Sequence, residues 1–219
     1  MKKIAKDIQG EIISVVKEKF NNNGFLCNKQ RFFERRCEGG NINVYEILLS
    51  KKKDFYSLHL RLSLKNFILM KGVNEILRKV LNDPEYIYPG SWDESEIKKS
   101  NELMLSNDTI SMVTDWRIFK GDKSLDEFNN VFSIWMCAFK CLSEIKDLHA
   151  QLLKSVDYAL DWFALVGSDE WIINNSLYPS LYLLNMMGDK DKLNEKYNYV
   201  LSVSRNKKEV ELYFKYLTL

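Results

Sequence analysis

The 219-residue chain is poor in histidine, proline and glycine, with 2, 3 and 9 of each. Two histidines leave little material for His-rich metal sites or histidine relays. So few prolines and glycines exclude collagen, Pro-rich stalks and flexible low-complexity arrays. An excess of one charge is also missing: 32 Lys and Arg stand against 30 Asp and Glu, a net charge of +2. A dedicated nucleic-acid binder carries a larger basic excess or a basic stripe, so the balance argues against nucleic acid as a partner. The longest apolar runs, such as 67–70, are far too short to span a bilayer, and no membrane role is expected. In the opening Met-Lys-Lys-Ile-Ala-Lys-Asp-Ile, charges recur too often for an apolar signal-peptide core. With no secretory signal, the four cysteines read as reduced thiols, and a cytoplasmic protein is expected.

What is present is ordinary globular composition, 46% hydrophobic and 28% charged, with a generous 13% of aromatics for a core. Residues 2–23 predict an amphipathic helix, since Ile4, Ile8, Ile12, Val15, Val16 and Phe20 recur at three- and four-residue spacing. Gly24 can take the left-handed conformation past its end, with Phe25 packing back on the last turn. Strands are predicted over 30–37, 42–50 and 55–65, separated by Gly39-Gly40-Asn41 and by a turn at Asp54. In the third, Tyr56, Leu58, Leu60, Leu62 and Leu64 alternate with Ser57, His59, Arg61, Ser63 and Lys65, so one set faces a core and the other solvent or a groove. Three strands with short turns imply an antiparallel meander packed by the first helix.

Gly72 to Leu81 reads as a short helix, broken by Asn82-Asp83-Pro84, and 82–107 as irregular. Short strands are expected near Thr109 to Val113 and Trp116 to Phe119. From Ser124 the pattern reads as helical, opened by a capping box at Ser124 and Glu127 and followed by the stripe Phe128, Val131, Phe132, Trp135, Phe139 and Leu142. Further helices are expected over 148–166, after Ser168, from Ser176 to Gly188 with Pro179 in a first turn, and over 190–203 and 206–218. The expected class is therefore α+β: an antiparallel meander sheet packed by an N-terminal helix, then an all-helical C-terminal half. The halves are 1–122 and 123–219, as two subdomains or one continuous domain.

Phosphate-cradling motifs are absent, and Gly39-Gly40 is followed by a strand, so it is a turn. Cys137 and Cys141 fall four apart on the expected helix and could present two thiolates to zinc with Cys27 and Cys37. However, the C-x₂-C knuckles of structural zinc sites are missing, and core packing is the better reading. Neither a metal nor a cofactor is expected. His59 lies two residues before Arg61 on the polar strand face. A general base there needs an orienting carboxylate, from Glu34 or Glu46, in one pocket; otherwise His59 is an exposed sheet histidine. Asp-Glu pairs at 93-94, 126-127 and 169-170 suit loops and first helical turns.

Two surfaces remain. Arg31, Arg35, Arg36 and Arg61, if they share a sheet face, make a positive groove for an acidic protein partner. Tyr86, Tyr88 and Trp92 sit where regular apolar neighbours are few, and either anchor a partner or cover a core edge. The expected binding residues are thus Arg35, Arg36, His59, Arg61, Tyr86, Tyr88 and Trp92.

The opening order of helix, Asn-Asn-Asn-Gly-Phe and Arg31-Phe32-Phe33-Glu34-Arg35 leading into a meander resembles an uncharacterised bacterial α+β family over roughly the first 120 residues. Some members of such families sit beside contact-dependent toxins as suspected immunity proteins. The resemblance implies a protein-binding module that neutralises a toxin by occlusion. Leu181 to Leu201, with Tyr182, Leu184, Gly188-Asp189 and Tyr197, is similar to half of a tetratricopeptide hairpin. Competing readings are an enzyme using His59 and Arg61, or a weak nucleic-acid binder.

Overall fold

Ile8, Ile12, Ile13, Val16 and Phe20 wind a single buried stripe along α1 (Ala5–Asn22). The structure, a computed structural model, describes residues 5–28, 31–88 and 90–219. Ile4 of the expected stripe, the expected strand start at 30 and Pro89 lie outside the described residues. The end of α1 follows from its sequence. Gly24 takes φ 77°, the Phe25 N–H donates to Phe20 O at 3.0 Å, and the Gly24 N–H donates to Asn21 O at 3.0 Å. These are the paired bonds of a left-handed helix cap. Phe25 then packs on Phe20 with ring centroids 5.1 Å apart.

The class is α+β: an antiparallel sheet follows the first helix, and helices make up most of the second half. Four strands run in the meander order β1 (Leu26–Asn28), β2 (Phe32–Arg36), β3 (Asn41–Lys51) and β4 (Tyr56–Asn66). The register pairs Phe33 with Tyr45 and Phe32 with Glu46. The other side of β4 is shared by β5 (Thr109–Val113) and β6 (Met136–Phe139). β6 takes the first half of β4, where His59 faces Met136.

Three local expectations are corrected. The stripe from Phe128 to Leu142 is not one helix. α4 (Leu125–Val131) keeps the capping box of Ser124 and Glu127 but stops at Phe132, which is extended at φ −155°. Val131, Phe132, Ile134 and Trp135 are β-branched or aromatic residues that favour strands. Gln151 Oε1 accepts the N–H groups of Ser133 and Ile134, and the chain enters β6. Residues 82–107 are not irregular, because they contain α3 (Glu94–Leu105), opened by a capping box between Asp93 and Glu96. Trp116–Phe119 is a 3₁₀ turn rather than a strand; its Trp116 is fully buried and donates Nε1–H to Leu60 O at 2.9 Å.

The remaining helices are α2 (Phe67–Leu81), α5 (Leu148–Leu165), α6 (Asp169–Asn175), α7 (Tyr178–Met187), α8 (Lys190–Val203) and α9 (Lys207–Thr218). Two compact units emerge, each from two chain segments. The first joins the chain up to Lys65 with Ser111–Val166, and the second joins Asn66–Ile110 with Gly167–Leu219. The division at 122/123 thus falls inside a segment of the first unit. In the first unit, α1 stacks Phe20 on Phe33 at 4.7 Å, and Tyr45 meets Trp116 edge-on. In the second, Val73, Val80, Leu181, Val200, Val210 and Tyr213 form a separate core. No helix among the described residues is long and apolar enough to cross a membrane.

Candidate functional site

Directly opposed residues of neighbouring strands share a face, so the register sorts the first unit's sheet into two sides. Phe33 and Tyr45 look toward the helices: Phe20 of α1 stacks there, and Ser155 of α5 bonds the Tyr45 hydroxyl at 2.7 Å. Burial of that phenol pushes its pKa well above the usual tyrosine value. The opposite side carries Leu26, Phe32, Glu34, Val44, Glu46, His59, Arg61 and Met136. On it Leu26 is 75% exposed and Met136 57% exposed. Leu26 on β1 and Met136 on β6 stand on the outer strands of this face, with β2, β3 and β4 between them.

At its centre lies a charge clamp. The Glu46 side chain is only 2% exposed, yet it sits on this open face. Arg31 donates Nη2–H to Oε1 at 2.5 Å and Nε–H to the same oxygen at 3.1 Å. Arg61 Nη2 pairs with Oε2. The guanidinium of Arg31 also lies over the Phe32 ring, 4.6 Å from its centroid. A buried carboxylate is thereby held by two cations whose stems spread over the sheet. This packing keeps Glu46 out of water while leaving Arg31 and Arg61 partly in it.

The expected common arginine face is only partly formed. Arg35 shares the parity of Phe33, so it turns to the helix side and lies over Phe25, 4.7 Å from the ring centroid. It donates Nη1–H to Asn23 O at 3.4 Å. Arg36 is exposed on the open side, opposite Ile42. Glu46 offsets Arg31 and Arg61, so the positive groove drawn from four arginines is weaker than their number suggests. Even so, Arg31, Arg36, Arg61 and Lys65 outnumber Glu34 and Glu46 on this side.

His59 is exposed, with Nε2 2.9 Å from Ser57 Oγ. The Arg61 guanidinium goes to Glu46 instead. The three groups required for acid–base chemistry therefore do not converge. Among the cysteines, Cys137 lies in β6 and Cys141 is exposed beyond it, so they do not line one helical face. Cys37, Cys137 and Cys141 are free thiols. No group of three or more His, Cys, Asp or Glu side chains that could hold a metal occurs among the described residues.

In the second unit, the aromatic segment divides. Tyr86 is half-buried against the core and donates its hydroxyl to Glu209 at 3.0 Å; Tyr178 donates to the same carboxylate at 2.6 Å. Tyr88 donates to Leu81 O at 3.3 Å and packs edge-on against Tyr86. Trp92 alone of the three remains exposed, at 46%. Burial and the neighbouring Glu209 carboxylate raise the pKa values of Tyr86 and Tyr178. Glu209 lies over a hundred residues from Tyr86 in the chain, so no local pattern links them.

Compared with protein-family models, curated proteins and solved structures, the chain shows no match.

Proposed function

We propose that the chain is a non-enzymatic protein-binding module whose contact surface is the face of its sheet that carries Arg31, Glu46 and Arg61. The observation that carries this reading is one sheet face that holds exposed Leu26 and Met136 on its outer strands and, between them, Phe32 and the clamp of Arg31, Glu46 and Arg61. Aromatic residues, Met and Arg are the side chains enriched in protein interfaces. The basic surplus at the clamp's edge favours an acidic partner and fast association. An immunity-type role, in which the module occludes a toxin, is the form of this function that the opening motifs suggest. An enzymatic reading loses support because His59, Arg61 and Glu46 do not share a reaction geometry.

The test is capture of a partner from native lysate at low salt, with Leu26→Asp and Met136→Asp as paired variants. Both positions are exposed, so both variants keep the fold. The expected result is a partner retained by the parent chain and lost by both variants. Retention by the variants, or no partner at all, removes the proposal.

A further inference from the structure

β6 is an outer strand of the first unit's sheet, paired on one side only, with β4. Opposed residues of an antiparallel ladder alternate between pairs that exchange both backbone bonds and pairs that exchange neither. The Leu60 N–H donates to Trp135 O at 2.9 Å, one step beyond the pair of His59 and Met136. Leu58 with Cys137 and Tyr56 with Phe139 are therefore bonded pairs, whereas His59 with Met136 and Ser57 with Ala138 are not. The N–H and C=O groups of Met136 and Ala138 thus point away from β4, out of the edge of the sheet. No described residue bonds them.

This open stretch is bounded at both ends. The next outward N–H groups belong to Ile134 and Lys140, and side chains already take them. Gln151 Oε1 accepts from Ile134 at 3.2 Å, and Glu144 Oε2 accepts from Lys140 at 2.8 Å. What is left open is centred on Cys137, with Met136 on one side and Ala138 on the other. Sheet edges are ordinarily blunted by Lys, Pro, a bulge or a covering element. Residues 136–139 contain no charge and no proline, and Met136 and Ala138 are both exposed.

An edge whose free groups are symmetric about one residue is complementary to itself. Set Cys137 opposite Cys137 of a second copy, antiparallel, and Met136 exchanges both bonds with Ala138 of that copy, as Ala138 does with its Met136. Every outward group of both strands is then used. A slip by two residues in either direction brings the occupied Ile134 or Lys140 into the ladder. Lys140 falls opposite Ile134 of the second copy, so no like charges oppose each other.

We infer that two copies of this chain associate edge to edge through β6, on a two-fold axis at Cys137, and join their sheets into one. The contact is short, so the dissociation constant is about 0.1–1 mM. It uses the backbone of β6, whereas the proposed protein contact uses side chains of the sheet face. Leu26→Asp, which breaks that contact, leaves the pairing intact.

Sedimentation equilibrium of the full chain from about 10 μM to about 1 mM tests the inference, and a rising dimer fraction is expected across that range. Amide exchange at Met136 and Ala138 is expected to slow about twofold or more at the highest concentration, while exchange at Cys137, already bonded to β4, stays constant. Ala138→Pro deletes an outward N–H without touching the bonds to β4. One bond is lost in each half of the contact, so association is expected to weaken about tenfold or more. Circular dichroism checks that the variant is folded; if it is not, amide exchange in the parent chain decides. In the variant Cys37→Ser/Cys141→Ser, which lacks the exposed thiols, diamide takes up the two thiol hydrogens as a disulfide forms. It is expected to join Cys137 to Cys137 of the second copy, because residues opposed in a non-hydrogen-bonded pair lie within disulfide reach. A chain still monomeric at about 1 mM overturns the inference, as does exchange at Met136 and Ala138 that ignores concentration. Undiminished association of a folded Ala138→Pro, or a dimer without the Cys137 bridge, overturns it as well.

Discussion

Removing the two arginines of the sheet clamp is expected to cost far more stability than removing the glutamate between them. The Glu46 side chain is 2% exposed, whereas those of Arg31 and Arg61 are 45% and 34% exposed. In Glu46→Gln the two guanidinium groups lose their carboxylate but already reach water and can turn further into it. The loss then resembles that of a surface pair, about 1 kcal/mol. In Arg31→Ala/Arg61→Ala a carboxylate is left buried with neither cation, which costs about 3–5 kcal/mol. Replacing all three by apolar residues, as Arg31→Met/Glu46→Leu/Arg61→Met, removes the desolvation penalty as well and is expected to be neutral or stabilising. Because the chain has two compact units, a single melting curve can mix their transitions. Amide hydrogen exchange in β3 and β4 reads the first unit directly. Exchange there is expected to accelerate roughly a hundredfold or more in the double arginine variant and about fivefold in Glu46→Gln. Equal acceleration in the two, or a larger effect of Glu46→Gln, refutes the reasoning that burial of the carboxylate sets the asymmetry.

Gly72→Ala in α2 is expected to destabilise by about 1–3 kcal/mol in denaturant unfolding, although alanine is the better helix former. The added Cβ would run into the Tyr182 ring and hydroxyl, so Gly72→Ala/Tyr182→Leu should recover most of the loss. Burial pushes the Cys137 thiol up to about 11, from 9.0. Its folded value lies above its unfolded one, so its contribution to stability is present below pH 9 and is lost as pH rises toward 11. At pH 8 iodoacetamide should label exposed Cys37 and Cys141 well before Cys137, a mass-spectrometric order that would be reversed if Cys137 were an accessible thiolate.

The elements most legible in the sequence were those whose signal is local. β4 announced itself by strict alternation from Tyr56 to Lys65, and the end of α1 by Gly24 and Phe25. The helices from α5 onward followed from their apolar spacing and from caps such as Ser168 and Gly188. α3 escaped because none of its residues is buried, leaving Asp93 and Glu96 as its sole strong signal. β6 escaped because Phe128, Val131, Phe132, Trp135 and Phe139 mimic helical spacing, while the free half-edge of β4 that recruits the strand is a tertiary fact. The candidate face divided in the same way. Alternation already separates Arg35 from Arg36, but the partnering of Arg31 and Arg61 with Glu46 depends on strand register. Tyr86 joins Tyr178 on Glu209, and Asn74 meets the 105–107 turn, through contacts that no local pattern carries.

The clamp also changes what the sheet face can contribute to recognition. Four arginines on one open face would act mainly by long-range attraction, which ordinary salt screens within about 8–10 Å. With Glu46 seated between Arg31 and Arg61, much of that field closes on itself. What remains on the surface is the packed stems of the two arginines, the Phe32 ring beneath one of them, and exposed Leu26 and Met136. Such a surface gains affinity chiefly from burial of apolar area, at about 25 cal/mol per Å² before the costs of association. Charge then adjusts encounter rate and orientation. Substituting Leu26 or Met136 should therefore raise the dissociation rate of a partner, whereas Arg36→Ala should mainly slow association and flatten its salt dependence. A partner whose affinity collapsed with salt but ignored Leu26 and Met136 would place the energy in the arginines after all, and Glu46 would then be a brake on binding rather than the centre of the contact.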